Sequence, residues 1–259
     1  MPRFSANLGF LWPDQPLLDR IDAAAAAGFK AIELHWPYDV PAERVREACV
    51  RHGLALLGIN TAVGEAGKDL GLGAVPGREE EFAAAIDQSV AYCIASGAIA
   101  IHAMAGKVPP QQFDEGRAVL IRNLERAAPQ AAEHGLTLLL EPLNQRDAPG
   151  YFYSALEPAA DIIAAVGAPN LKIMFDVYHV GVSQGDVLKR LERFMPIIGH
   201  VQIAAVPSRA EPDEGEIAYP AIFAALDALG YAGWVGAEYK PRAGTDEGLG
   251  WVEALGVRL

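Results

Sequence analysis

The chain alternates eight times between a short apolar run and a longer amphipathic or Ala-rich segment. The apolar runs cover residues 4–8, 31–34, 54–60, 98–104, 137–141, 172–176, 198–202 and 234–238. Each is short and nearly continuously hydrophobic, the pattern of a strand buried on both faces. The segments between them, 17–27, 41–52, 79–96, 111–134, 159–166, 186–194, 219–229 and 247–257, carry helical spacing, and Gly28, Gly53, Gly97 and Gly135 stand where helices end. Pro129 predicts a bend in the longest of them. Strictly alternating strands and helices call for a parallel sheet covered by helices. No composition break or linker interrupts the series, so residues 1–259 are expected to form one domain. Eight strand-helix units in 259 residues match the size and rhythm of a (β/α)8 TIM barrel. A doubly wound open sheet would need fewer strands or a phosphate loop, and no G-x-G-x-x-G or Walker-type loop follows any strand.

Four consecutive runs, the fifth to the eighth, end on a polar group: Thr-Leu-Leu-Leu-Glu141, Lys-Ile-Met-Phe-Asp176, Ile-Gly-His-Val-Gln202 and Trp-Val-Gly-Ala-Glu238. A carboxylate where a buried strand surfaces bears a desolvation cost. In a barrel these ends share one mouth, where active sites sit. Three carboxylates and a carboxamide make an oxygen-rich group suited to a hard divalent cation such as Mg²⁺ or Mn²⁺. Without a cation the carboxylates would repel and raise one another's pKa. The plainer alternative is that each acid pairs separately with a Lys or Arg of the rim. Repetition at one position in four successive strands favours a shared metal or acid/base site.

Histidines and cations near these ends are the next candidates. His179 follows Asp176 by three residues in Phe-Asp-Val-Tyr-His, as a substrate contact or as a surface histidine on a loop. His102 ends the fourth strand, and His35 and Trp36 follow the second. His200 shares the facing of Gln202 but lies deeper, as a core histidine would. His52 and His134 precede helix-ending glycines and read as structural. Among the cations, Arg209 lies after the seventh strand, where a guanidinium can grip a small carboxylate with two parallel hydrogen bonds. Lys107, Lys240 and Arg146 also follow strand ends, where most cations simply neutralise neighbouring acids. Phe10, Trp12, Trp36, Tyr151 and Phe152 sit in the mouth loops and either exclude water or cap the core.

The formal net charge of −12 argues against nucleic acid, whose phosphates need a basic footprint. No apolar run approaches the roughly 20 residues needed to cross a bilayer, and the N-terminus lacks a signal-peptide core, so a cytoplasmic protein is expected. Cys49 and Cys93 read as reduced thiols.

Three longer motifs, Glu-Pro-Leu-Asn-x-Arg-Asp-x-Pro-Gly-Tyr-Phe from Glu141, Phe-Asp-x-Tyr-His from Phe175 and Val-Gln-Ile-Ala-x-Val-Pro-x-Arg-x-Glu-Pro-x-x-Gly-Glu from Val201, resemble the hydroxypyruvate isomerase family of xylose isomerase-like TIM barrels. The opening Arg-Phe-Ser-Ala-Asn-Leu and the region around Glu238 are similar as well, so the resemblance spans essentially the whole chain. It implies an aldose–ketose type isomerisation of a small anionic hydroxy-keto acid, hydroxypyruvate or a four-carbon 2-oxo-tetronate. It further implies Glu141 and Glu238 as the acid/base pair, and Glu141, Asp176, Gln202 and Glu238 around a divalent metal whose strict requirement is left open. Arg209, His179, His102, Lys107 and Trp36 are the expected substrate contacts. Related ketose epimerases usually carry histidine at the third ligand position; Gln202 stands there in this chain. Barrels of this kind can associate into homo-oligomers, although no interface signal stands out.

Overall fold

In the computed structural model, which describes residues 1–259, nine parallel strands form one sheet. They are β1 (Arg3–Asn7), β2 (Ala31–Glu33), β3 (Ala55–Leu56), β4 (Gly58–Asn60), β5 (Ala100–His102), β6 (Thr137–Leu140), β7 (Leu171–Asp176), β8 (Ile198–Ile203) and β9 (Trp234–Ala237). The hydrogen-bonded order is β3-β2-β1-β9-β8-β7-β6-β5-β4. The two ends of that order, β3 and β4, are consecutive pieces of the predicted third strand, parted only at Leu57. Leu57 itself donates to the carbonyl of Ile32 on one side and accepts from the N–H of Ile99 on the other. The sheet therefore comes round on itself as the barrel of a (β/α)8 fold.

The helices are α1 (Leu17–Ala26), α2 (Ala42–His52), α3 (Glu79–Ser96), α4 (Phe113–Glu133), α5 (Leu156–Val166), α6 (Val177–Ser183), α7 (Val187–Phe194), α8 (Tyr219–Ala228), α9 (Thr245–Gly248) and α10 (Trp251–Ala254). Gly53 and Gly97 end α2 and α3 with φ of 65° and 87°, the left-handed conformation that glycine adopts without a Cβ clash. Pro129 sits within α4, where it removes one ladder hydrogen bond without ending the helix. The predicted last helix is two short pieces, α9 and α10, around Leu249 and Gly250. A continuous cluster of 67 buried apolar residues joins strands to helices. None of the helices is long and apolar enough to cross a membrane, and Cys49 and Cys93 are buried free thiols.

One helix is not evident from the periodicity. Directly after β7, α6 begins with Asp176 as its N-cap, whose side chain accepts the N–H of Tyr178 at 2.8 Å. The consequence for His179 is a correction of its predicted setting. It lies on this helix, 2% exposed, and not on a surface loop.

Candidate active site

Register brings the predicted strand ends to the same end of the barrel, each within two residues of the next. Asp176 of β7 is the Cα partner of Gln202 in β8, and Gln202 is the partner of Gly236 in β9. Glu141 directly follows β6, and Glu238 directly follows β9. All four polar residues are buried. Each also presents one buried oxygen without a hydrogen-bond partner: Glu141 Oε1, Asp176 Oδ2, Gln202 Oε1 and Glu238 Oε2. Oxygens of ionised carboxylates and of carboxamides only accept, so burying four of them unpaired is costly unless a cation or a donor meets them. That donor set suits a hard divalent cation.

The electrostatics agree. Burial first, and then the charges of Glu238 and Asp176, push the pKa of Glu141 well above the usual carboxylate range. Burial and Glu238 likewise push Asp176 up to about 7. Such shifts come from burying neighbouring carboxylates together, with the charge of Arg209 offsetting only part of the effect.

His179 shares this group, its Nε2 lying 3.6 Å from Asp176 Oδ2 and 3.8 Å from Glu141 Oε1. Atoms of Glu141, Asp176 and His179 lie within 4.8 Å of one another, close enough to serve one ion. The other ring nitrogen decides what His179 can offer. Nδ1 receives the backbone N–H of Asn144 at 2.9 Å, with the Asn144 carboxamide nitrogen at 2.7 Å. A backbone N–H can only donate, so the neutral ring carries its hydrogen on Nε2 and faces the centre as a donor. The oxygens that could meet a cation are then those of Glu141 and Asp176 within this group, with the unpaired oxygens of Gln202 and Glu238 at neighbouring strand ends.

Glu238 is held differently from Glu141. His35 Nε2 lies 2.9 Å from Glu238 Oε1, and Arg209 Nη2 is 3.8 Å from the same oxygen. The His35 ring packs edge-on between Phe10 and Trp36. Arg209 has φ of 58°, donates from Nη1 to Asp147 Oδ2 at 3.2 Å and packs over the rings of Phe10 and Tyr178. Tyr178 in turn donates to the same oxygen of Asp147 at 2.7 Å. A left-handed backbone at a non-glycine residue is costly and tends to be kept where the side chain has a task.

The remaining predicted residues divide. His102 is buried, with Nδ1 3.4 Å from Glu141 Oε2. Burial and the neighbouring His35 lower its pKa to about 3, so it stays neutral. Trp36 is 42% exposed on the rim and donates its indole N–H to the carbonyl of Thr61. Lys107 is exposed and forms no ion pair with the strand-end carboxylates. Lys240 is also exposed, its Nζ 5.8 Å from the Phe10 ring centre. A cavity runs down the barrel from His35, Glu141 and Glu238 past His200 and Met174 to Trp234 at the opposite end of the strands.

Sequence reasoning missed Glu33, the last residue of β2, along with Asn144 and Asp147. Glu33 is buried and accepts from Ser5, His200 and Gln202. Although burial pushes its pKa up, the charge of His200 and these hydrogen bonds hold it below the usual value. The same pairing raises the pKa of His200 against the opposing effect of its burial. The two form an ion pair inside the barrel.

Comparison with known proteins adds the family. Residues 21–255 match the family described as xylose isomerase-like TIM barrel. A 2-oxo-tetronate isomerase from Cupriavidus necator is 46% identical over 255 residues, covering 98% of each chain. A hydroxypyruvate isomerase from Escherichia coli is 36% identical over 255 residues, covering 98% of this chain and 99% of its own. Among solved structures, an AP endonuclease, family 2, from Brucella melitensis superposes with a TM-score of 0.95 at 39% identity, over 98% of each chain.

Proposed function

Because the chain is an isomerase of the xylose isomerase-like TIM-barrel family, we propose that it moves a carbonyl between C2 and C3 of a short hydroxy-keto acid, interconverting hydroxypyruvate and tartronate semialdehyde. The observation that carries this reading is the set of four unpaired buried oxygens from successive strand ends, two of them beside His179 Nε2, with the guanidinium of Arg209 against Glu238.

Glu238, whose carboxylate lies beside His35 and Arg209, takes a proton from C3. The C3–H electron pair becomes the C2–C3 double bond, and the C2 carbonyl oxygen takes the negative charge of an enediolate. The Nε2–H of His179 and the guanidinium of Arg209 are the donors available to that oxygen. Glu141 delivers a proton to C2 while the O3 hydrogen passes to O2, leaving an aldehyde at C3. Return of the proton from Glu238 to Glu141 resets the pair. Arg209 also suits the substrate carboxylate, which would otherwise add negative charge beside two glutamates. A divalent cation, Mg²⁺ or Mn²⁺, held by Glu141, Asp176, Gln202 and Glu238 would supply further stabilisation of developing negative charge.

The four-carbon acid is the second reading, supported by the 46% identity to a 2-oxo-tetronate isomerase. The chemistry at C2 and C3 is the same. A nuclease reading, suggested by the Brucella protein's name, is set against a formal net charge of −12.

Proton NMR in D₂O tests the proposal, with hydroxypyruvate and the 2-oxo-tetronate acids offered separately, before and after EDTA. Product or deuterium incorporation with the three-carbon acid supports it, and loss with EDTA makes the cation essential. Turnover of the four-carbon acid alone selects the second reading. Silence on both acids with Mn²⁺ restored overturns the proposal.

A further inference from the structure

Gln202 is an ambiguous ligand by nature, because rotating its carboxamide by half a turn exchanges an oxygen for an NH₂ group. Something must choose the orientation if Oε1 is to face a cation. Gln202 Nε2 donates to Glu33 Oε2 at 2.7 Å, while Gln202 Oε1 is buried with no partner. The other contacts of Glu33 leave it little freedom. Its Oε1 accepts from Ser5 Oγ at 2.8 Å, and His200 Nε2 lies 3.2 Å from both oxygens. Asn7 Nδ2 stands 3.4 Å from Oε2.

The position opposite is shaped for this carboxylate. A Cβ on Gly236 would lie 2.2 Å from Glu33 Oε1 and 3.0 Å from Gln202 Cγ, so only glycine leaves room on β9. A carbonyl oxygen has no hydrogen to donate and would repel a buried carboxylate, so Glu33 rejects the flipped carboxamide. The full set of partners serves one outcome, an NH₂ held toward β2 and an oxygen left free, on a residue that lines the same cavity as Glu141 and Glu238.

We infer that Glu33, charge-compensated by His200 and accommodated by Gly236, is a positioning residue that turns the Gln202 oxygen into the cation site. The inference rests on the cation reading proposed above, and it gives a buried ion pair deep in the barrel a task in metal affinity. Partners of this kind that orient a ligand typically contribute about 10- to 100-fold in affinity.

The test measures Mn²⁺ affinity directly by EPR titration of free Mn²⁺, alongside thermal melting. E33Q keeps the shape but lets both carboxamides turn, and is expected to weaken Mn²⁺ binding about 10- to 100-fold while remaining folded. The exchange variant E33Q/Q202E preserves total charge and places a carboxylate, which has oxygen at both ends, where orientation no longer matters. It is expected to recover wild-type affinity or better. A folded E33Q that binds Mn²⁺ as tightly as wild type overturns this inference alone, as does an exchange variant as weak as E33Q. If E33Q fails to fold, the exchange variant decides against the wild type: affinity at or above wild type supports the inference, and affinity about 10-fold or more below it overturns it. Wild-type protein that binds no Mn²⁺ overturns the cation reading and this inference with it.

Discussion

Asn144 sets the chemistry of His179 without touching the face that His179 turns to the site. Its backbone N–H and its carboxamide nitrogen converge on Nδ1, at 2.9 and 2.7 Å. Burial, and then the charge of Arg209, push the imidazole's pKa well below the ordinary histidine value. The ring is therefore a neutral donor across the physiological range, able to meet a developing oxyanion without first losing a proton.

The prediction for this histidine is specific. His179→Ala should lower kcat about 10²- to 10³-fold, the usual cost of removing one donor to a developing oxyanion, with a smaller change in KM. Steady-state kinetics by NMR would show it. A raised KM with unchanged kcat would mean that His179 binds ground state and transition state alike.

The paired glutamates should separate catalysis from binding. Glu238→Gln and Glu141→Gln each keep the shape of the site and remove a proton carrier, so each is expected to reduce isomerisation about 10²- to 10⁴-fold. Calorimetric titration with a non-reacting substrate analogue should still detect binding. Near-full activity in either variant would refute the role assigned to that residue.

Arg209 makes a geometric claim as well as an electrostatic one. Its guanidinium meets Asp147 and Glu238 and packs over two aromatic faces. Lysine keeps the charge but neither the planar fork nor the stacking. Arg209→Lys is expected to raise KM for the acid substrate about tenfold or more. An unchanged KM would move the substrate carboxylate to another group.

Most of the barrel was legible because buried parallel strands announce themselves as short apolar runs, and the residues ending four of them stood out against that background. Glu33 obeys the same rule, since Ala31-Ile-Glu33 is an apolar run ending on a carboxylate. It was hidden because Leu34 and His35 follow, and the run reads as continuing to the histidine. α6 was hidden for another reason. Its signal is one N-capping aspartate, and that same residue was already read as a strand end and candidate ligand. Asn144 and Asp147 act through hydrogen bonds to residues 35 and 62 positions away, which no local pattern encodes. The exposure of Lys107 is likewise a matter of where its loop lies and not of its residue type.

The crowded carboxylates give stability an unusual pH dependence. In the absence of a cation, Asp176 is held near 7 against an ordinary 3.8, and Glu141 is also raised, from 4.5. Between about pH 4 and about pH 7 the folded chain keeps protons at these sites that the unfolded chain has released. More protons on the folded side means that unfolding free energy falls as pH rises through that window. This is the reverse of a carboxylate whose pKa is depressed by an ion pair. A divalent cation binds the deprotonated carboxylates, so its stabilising effect should grow over the same interval. Differential scanning calorimetry with EDTA and with Mn²⁺ should show a larger Mn²⁺-induced rise in Tm at about pH 8 than at about pH 5. Asp176→Asn, which removes one raised carboxyl, should flatten that difference. Equal Mn²⁺-induced shifts at both pH values in the wild-type chain would place the cation away from these carboxylates.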